Sequence, residues 1–142
     1  MSRESSFVID SSSVLALLLP DEKYGADAAE LRKLIDAQTV MLAPAHWQTE
    51  VANGLLMAER RRRISQMEVG ELLDIALSMN VEIDGESETN TVREAVGLGR
   101  QHKLTVYDAA YLELAMRRGT KLATLDADLR KAATASGIQV LP

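Results

Sequence analysis

The chain reads as a three-layer α/β/α domain built on a central, mostly parallel sheet. Short apolar runs alternate with longer segments of helical periodicity along the whole sequence. Strands separated by helices need crossover connections, which set the strands parallel and cover both faces of the sheet. The third observation is size: 142 residues, 46% hydrophobic and 26% charged, suit one domain spanning 1–142 that fills its own core.

In chain order, Phe7-Val8-Ile9 is the first strand and ends at Asp10, with a helical stretch after it. Ala26 to Ala37 carries Ala29, Leu31, Leu34 and Ile35 as the apolar positions of a helix. Val40-Met41-Leu42 is a strand stopped by Pro44, and Ala45 to Arg62 a long helix with Trp47, Val51, Leu55 and Ala58 on one stripe. Ser65 with Glu68 three residues on opens a helix from Gln66 to Ser78. Val81-Glu82-Ile83 is a short strand leading into the polar turn Asp84-Gly85-Glu86-Ser87. Thr89 to His102 is helical although Gly97 and Gly99 weaken it, and Val106 to Arg118 is a helix opened by Thr105 and Asp108. Lys121 to Thr124 is a strand, Leu125 to Ala135 a helix, and Ile138-Gln139-Val140 a last strand after Gly137.

Composition excludes several classes. The absence of cysteine rules out a disulfide scaffold and a thiolate zinc site, and fits a reducing compartment. Arg3 is followed at once by Glu4, and the apolar run Val14 to Leu19 ends in Pro20-Asp21-Glu22, too short for an export signal or a membrane span. A soluble, cytoplasmic protein is expected. With aromatics at 4%, the core is expected to be Leu, Ala, Val, Ile and Met, the six methionines acting as filler. The net charge of −5 argues against a nucleic-acid partner, but Arg60, Arg61, Arg62 and Arg63 form one basic block and Arg117, Arg118 and Lys121 another. The four-arginine run reads first as a solvated helix end, where cations suit the helix dipole.

Ligands of open α/β sheets gather outside the carboxyl ends of the strands, which directs attention to the acids there. Asp10 follows the first strand and Asp126 the fourth; each could cap the next helix or hold a ligand. Thr124 adds a hydroxyl beside Asp126, and Asp128 lies two residues further on. Asp108 shares a stripe with Tyr111, Leu112 and Ala115, a costly place for a carboxylate unless a cation or donor meets it; pairing with Thr105 explains part of this. Glu50 lies on the margin of the Trp47 and Val51 face, with Gly54 one turn on allowing a close approach. If these ends converge, four carboxylates share a small volume and need a counter-charge. Oxygen-only ligation suits Mg²⁺ or Mn²⁺, ions that activate water and stabilise a phosphodiester under attack. Rival motifs are poor: Gly97-Leu98-Gly99 lacks a preceding strand and a third glycine, and there is no P-loop. His46 and His102 lack metal-ligand spacing and read as surface or interface residues, and Ser11, Ser12 and Ser13 lack nucleophile-elbow glycines.

The ordered set Val8-Ile9-Asp10-Ser11-Ser12 with the Leu-rich helix and Pro20-Asp21-Glu22, Ala43-Pro44 through Trp47 and Glu50-Val51-Ala52-Asn53, Thr105 to Tyr111, and Leu122-Ala123-Thr124-Leu125-Asp126 resembles the PIN-domain family, most closely the VapC-type toxins of toxin–antitoxin pairs. The resemblance covers nearly the whole chain. It implies a metal-dependent endoribonuclease with Asp10, Glu50, Asp108 and Asp126 as the catalytic acids. Mg²⁺ or Mn²⁺ would be held by Asp10, Asp108 and Asp126, with Asp128 an additional acid. Ser12 and Thr124 match hydroxyls that accompany the first and last acids. It implies further an RNA substrate, a homodimer, and a VapB-like antitoxin whose C-terminal segment covers the site. In a ribonuclease the arginine blocks, Arg60, Arg61, Arg62 and Arg63 among them, would grip the RNA backbone. The alternatives are a non-catalytic RNA- or partner-binding module on the same fold, or a nuclease acting on DNA.

Overall fold

A computed structural model of the chain describes residues 6–20, 23–85 and 89–142. Among the described residues lie β1 (Ser6–Ile9), α1 (Ser11–Leu18), α2 (Gly25–Leu34), β2 (Val40–Ala43), α3 (Trp47–Arg60), α4 (Gln66–Ser78), β3 (Val81–Ile83), α5 (Thr89–His102), α6 (Val106–Arg118), β4 (Lys121–Ala123), α7 (Ala127–Ala135) and β5 (Val140–Leu141). The five strands form one sheet in the order β3-β2-β1-β4-β5, and every pairing is parallel. From β1 the chain builds outward through β2 to β3, then returns to the other side of β1 with β4 and β5. The order therefore reverses between β1 and β4, and that is where a parallel sheet opens a crevice at its carboxyl edge. Asp21, Glu22, Glu86 and Ser87, named in the motif and the turn above, lie outside the described residues, as do Arg3 and Glu4.

Helix boundaries follow local chemistry. Ser65 and Glu68 form the reciprocal capping box that opens α4, and Thr105 accepts from the Asp108 N–H to open α6. Asp126 caps α7, so that helix starts two residues later than the apolar pattern suggests. α2 stops at Leu34 rather than Ala37 because the Asp36 carboxylate turns the chain, accepting from the Gln38 N–H at 2.8 Å and the Thr39 hydroxyl at 3.0 Å. At the C-terminus Gly137 takes a left-handed conformation (φ 78°) and the Ile138 N–H bonds back to Ala133, which delays β5 to Val140.

Val8, Ile9, Leu122 and Ala123 are fully buried, as a strand covered on both faces requires. Contrary to the composition, aromatic side chains sit at the centre of the core: Trp47 and Tyr111 are its largest fully buried members. The methionines are not uniform filler either. Met41 is buried in β2, whereas Met67 and Met116 stand on the outer faces of α4 and α6, 75% and 44% exposed. Gly54 permits the close packing of α3 on α1, since a Cβ there would lie 2.3 Å from a Leu15 methyl. That packing fixes α1, and with it the loop carrying Asp10.

Candidate active site at the carboxyl edge of the sheet

Asp10 stands at the carboxyl end of β1, at the switch point of the sheet. Its backbone continues the β1–β4 pairing through an N–H bond to Ala123 O, and its side chain is buried at the first turn of α1. One carboxylate oxygen accepts from the Ser12 hydroxyl at 2.7 Å and the Ser13 N–H at 3.0 Å; the other accepts from the Thr124 hydroxyl. The Ser12 Oγ also accepts from the Leu125 N–H across the switch point, while the Thr124 Oγ1 accepts from the Asp126 N–H within its own turn. The two hydroxyls stitch the β1–α1 and β4–α7 turns together around one carboxylate. Arg130 secures the far side by donating to the carbonyls of Thr124 and Leu141.

The helix-cap and ligand readings of Asp10 and Asp126 do not compete. Asp10 caps α1, and Asp126 caps α7 by accepting from the Leu129 N–H at 2.8 Å. Capping leaves both at the same edge of the sheet. Burial pushes Asp10 up to about 6, against the three bonds that favour its ionised form, and the Asp108 charge adds to the rise. Asp108, half-buried on the first turn of α6, is raised by burial and then by Asp126 and Glu50. Asp108 thus senses both Asp126 and Glu50.

Glu50 reaches the cluster from α3. The Tyr111 hydroxyl donates to it at 2.6 Å, and the His46 Nε2 lies 3.6 Å from the same oxygen. Burial and the adjacent Glu50 charge hold the Tyr111 phenol far above its usual range, so it stays protonated and donates. Tyr111→Phe is expected to cost about 1–2 kcal/mol in urea denaturation and to release Glu50 from its fixed position.

Two residues at this site escaped the sequence reading. His46 is no solvated surface residue: its ring stands edge-on between Tyr107 and Tyr111, with centroids 5.4 and 5.3 Å away. Tyr111 reads from sequence as core, and only its hydroxyl, aimed at Glu50, belongs to the site. The Trp47-to-Glu50 spacing holds a weak signal for His46, because positions 46 and 50 are one helical turn apart.

Other candidates lie elsewhere. Asp128 is exposed and lines a depression with His102, Lys103 and Lys131, and it is not among the charges that raise Asp10 or Asp108. Arg60 to Arg63 sit at the opposite end of α3 from Glu50, roughly 15 Å along the axis for ten residues. Arg117 is no surface cation. It donates to Asp84 at 2.5 Å and to both oxygens of Glu113, tying α6 to the end of β3.

Among the described residues no three His, Asp or Glu side chains form a ready-made ion cage. The donor set nonetheless fits a hard divalent ion of the Mg²⁺ type, which is commonly held by one or two carboxylates with water and substrate oxygens completing its shell. Asp10 and Asp108 are both oxygen donors, the Asp108 charge raises the proton affinity of Asp10, and a cation would relieve that repulsion.

The parallel sheet, its switch point and the carboxylates gathered there define a class of α/β domain with an acidic cluster at the carboxyl edge. The PIN domain family model matches residues 7–135, and the chain belongs to that family. Ribonuclease VapC3 of Pyrobaculum aerophilum is 32% identical over 122 residues, covering 86% of this chain and 90% of that one. The crystal structure of PAE2754 from Pyrobaculum aerophilum is similar with a TM-score of 0.70 at 23% identity, over 95% of this chain and 83% of that one. That of VapC20 from Mycobacterium tuberculosis, described as a sarcin-ricin loop cleaving toxin, has a TM-score of 0.68 at 18% identity, over 96% of this chain and 99% of that one.

Proposed function

We infer that the chain, acting as a single PIN domain, is a divalent-metal-dependent endoribonuclease and the toxin of a VapBC-type pair. The observation that carries this reading is the buried Asp10 carboxylate, locked at the switch point by Ser12, Ser13 and Thr124 and coupled to Asp108. Its likeness to Ribonuclease VapC3 supports RNA as the substrate. Asp10, Asp108 and Asp126 would hold Mg²⁺ or Mn²⁺; a bound ion supplies charge neutralisation at the phosphodiester and a more acidic water. Ser12 and Thr124 keep Asp10 oriented. Tyr111 holds Glu50 by one oxygen, which leaves the other to take the proton of the attacking water. Arg60, Arg61, Arg62 and Arg63 offer the RNA backbone a cationic strip beyond the cleavage point.

The same reading carries a VapB-like antitoxin and a homodimer. No helix among the described residues is long and apolar enough to cross a membrane.

The test is cleavage of total RNA in Mg²⁺, Mn²⁺ or EDTA, with matched single-stranded DNA beside it. Cleavage is expected only of RNA and only with the ion, and its loss is expected in Asp10→Asn. Cleavage that persists in EDTA and in the variant would overturn the reading.

A further inference from the structure

Beside the carboxylates, between α5, α6 and the β2–α3 turn, lies a cleft of about 190 Å³ whose walls include Pro44, Val92, Ala95 and Ala110. It is large enough for a planar ring, since an apolar cavity of about 150 Å³ accepts benzene. His46 and Tyr107 line it. Tyr107 is 63% exposed and immediately precedes Asp108, while His46 stands between Tyr107 and the buried Tyr111 that holds Glu50. The His46 Nε2 also lies 3.0 Å from the Tyr107 carbonyl oxygen, which fixes the imidazole against the α6 turn. An aromatic series therefore runs from the catalytic edge to the mouth of the cleft.

The charge of the cleft selects its occupant. Asp84 and Glu113 contribute to its wall and share the single guanidinium of Arg117, so a phosphate is repelled there. A neutral ring is not, and carboxylates accept hydrogen bonds from exocyclic amino groups of bases. RNA bases unstacked from a single strand are held on aromatic side chains in this way.

We propose that the cleft is a nucleobase subsite, which takes one unstacked base next to the scissile phosphate and prefers adenine, cytosine or guanine to uracil. The proposal rests on the ribonuclease reading above and adds a determinant of where the RNA is cut. Tyr107 supplies the stacking face, His46 holds the cleft in register with Glu50, and the Asp84–Arg117–Glu113 group reads the amino function.

Free nucleosides test it without any cleavable bond. The amide signals of Val92, Ala95, Tyr107 and Ala110 in ¹⁵N-labelled full-length protein are followed during titration with adenosine, uridine and ribose 5-phosphate. Adenosine is expected to shift them at lower concentration than uridine, and ribose 5-phosphate to leave them in place. Tyr107→Phe keeps the response, and Tyr107→Ala weakens it by about 5- to 150-fold, the range for loss of one base–aromatic stack. Equal responses to adenosine and ribose 5-phosphate, or none to adenosine, overturn the proposal. It also falls if the cleft signals move only with a partner protein, which makes the cleft a protein docking site. RNA cleavage by the same sample separates the two readings. Intact cleavage with no adenosine response removes the base subsite alone; an adenosine response with no cleavage removes the ribonuclease reading and leaves a base-binding cleft.

Discussion

Replacement of Asp108 by asparagine is expected to lower RNA cleavage by roughly 10²- to 10⁴-fold, the range associated with a single group that handles charge or protons in the transition state, while leaving the fold intact. The asymmetry follows from what Asp108 does in the two roles. Structurally, α6 is opened by Thr105 accepting from the Asp108 backbone N–H at 3.1 Å, a bond that asparagine preserves. The side chain is only half-buried, so the amide needs no new partner. Chemically, Asp108 is raised by Asp126 and Glu50 and itself raises Asp10. Removing its charge takes away one of the effects that raise Asp10. Circular dichroism and a thermal scan should show an unchanged protein, with the loss confined to turnover. Asp128→Asn serves as the comparison, and because Asp128 faces a different depression its cleavage should stay within about threefold of wild type. A large loss there, or a small one at Asp108, would place the chemistry elsewhere on the molecule.

The fold was legible because its signals are local. Apolar runs of three or four residues, each followed by a cap or a breaker, mark where strands end, and strand ends are where the acids stand. Asp10 and Asp126 could be located at one sheet edge from sequence for that reason. Their adjacency was not legible, because it depends on β1 pairing with β4, more than 110 residues away in sequence. Only the assembled order β3-β2-β1-β4-β5 puts the two acids on either side of the switch point.

What sequence could not supply is the partner of each polar group. Tyr111 carries the pattern of a core residue and is one; the hydrogen bond from its hydroxyl to Glu50 spans 61 residues and leaves no periodic trace. Arg117 reads as part of a basic block, yet Asp84 and Glu113 engage it. Of that block only Arg118 and Lys121 are left exposed, so it offers less free positive charge than a count of basic residues suggests. His46, dismissed for lack of ligand spacing, acquires its place from two rings of α6 that pack around it.

Asp10→Asn is expected to stabilise the metal-free protein at neutral pH even as it removes cleavage. Burial raises Asp10 from 3.8 to about 6, so the folded state holds its proton where the unfolded chain has released it. Between those values the native state binds more protons than the unfolded one, and stability falls as pH rises through that window. At about 1.4 kcal/mol per pK unit the ionised carboxylate costs about 3 kcal/mol above pH 6, and nothing below pH 3.8. Asparagine is nearly the same shape and keeps an acceptor for the Ser13 N–H without that titration. Urea denaturation in EDTA should therefore show the variant gaining about 3 kcal/mol on wild type between pH 3.5 and pH 7, the contributions of other acids cancelling in the difference. Mg²⁺ should narrow the gap at pH 7 by raising the midpoint of wild type and not of the variant, since a ligand stabilises only the state that binds it. Parallel pH curves for the two proteins would mean that the buried carboxylate is stabilised by its three donors as well as water stabilises it. A site whose charge destabilises the empty fold and is relieved by its ion is a site kept for chemistry at the expense of stability.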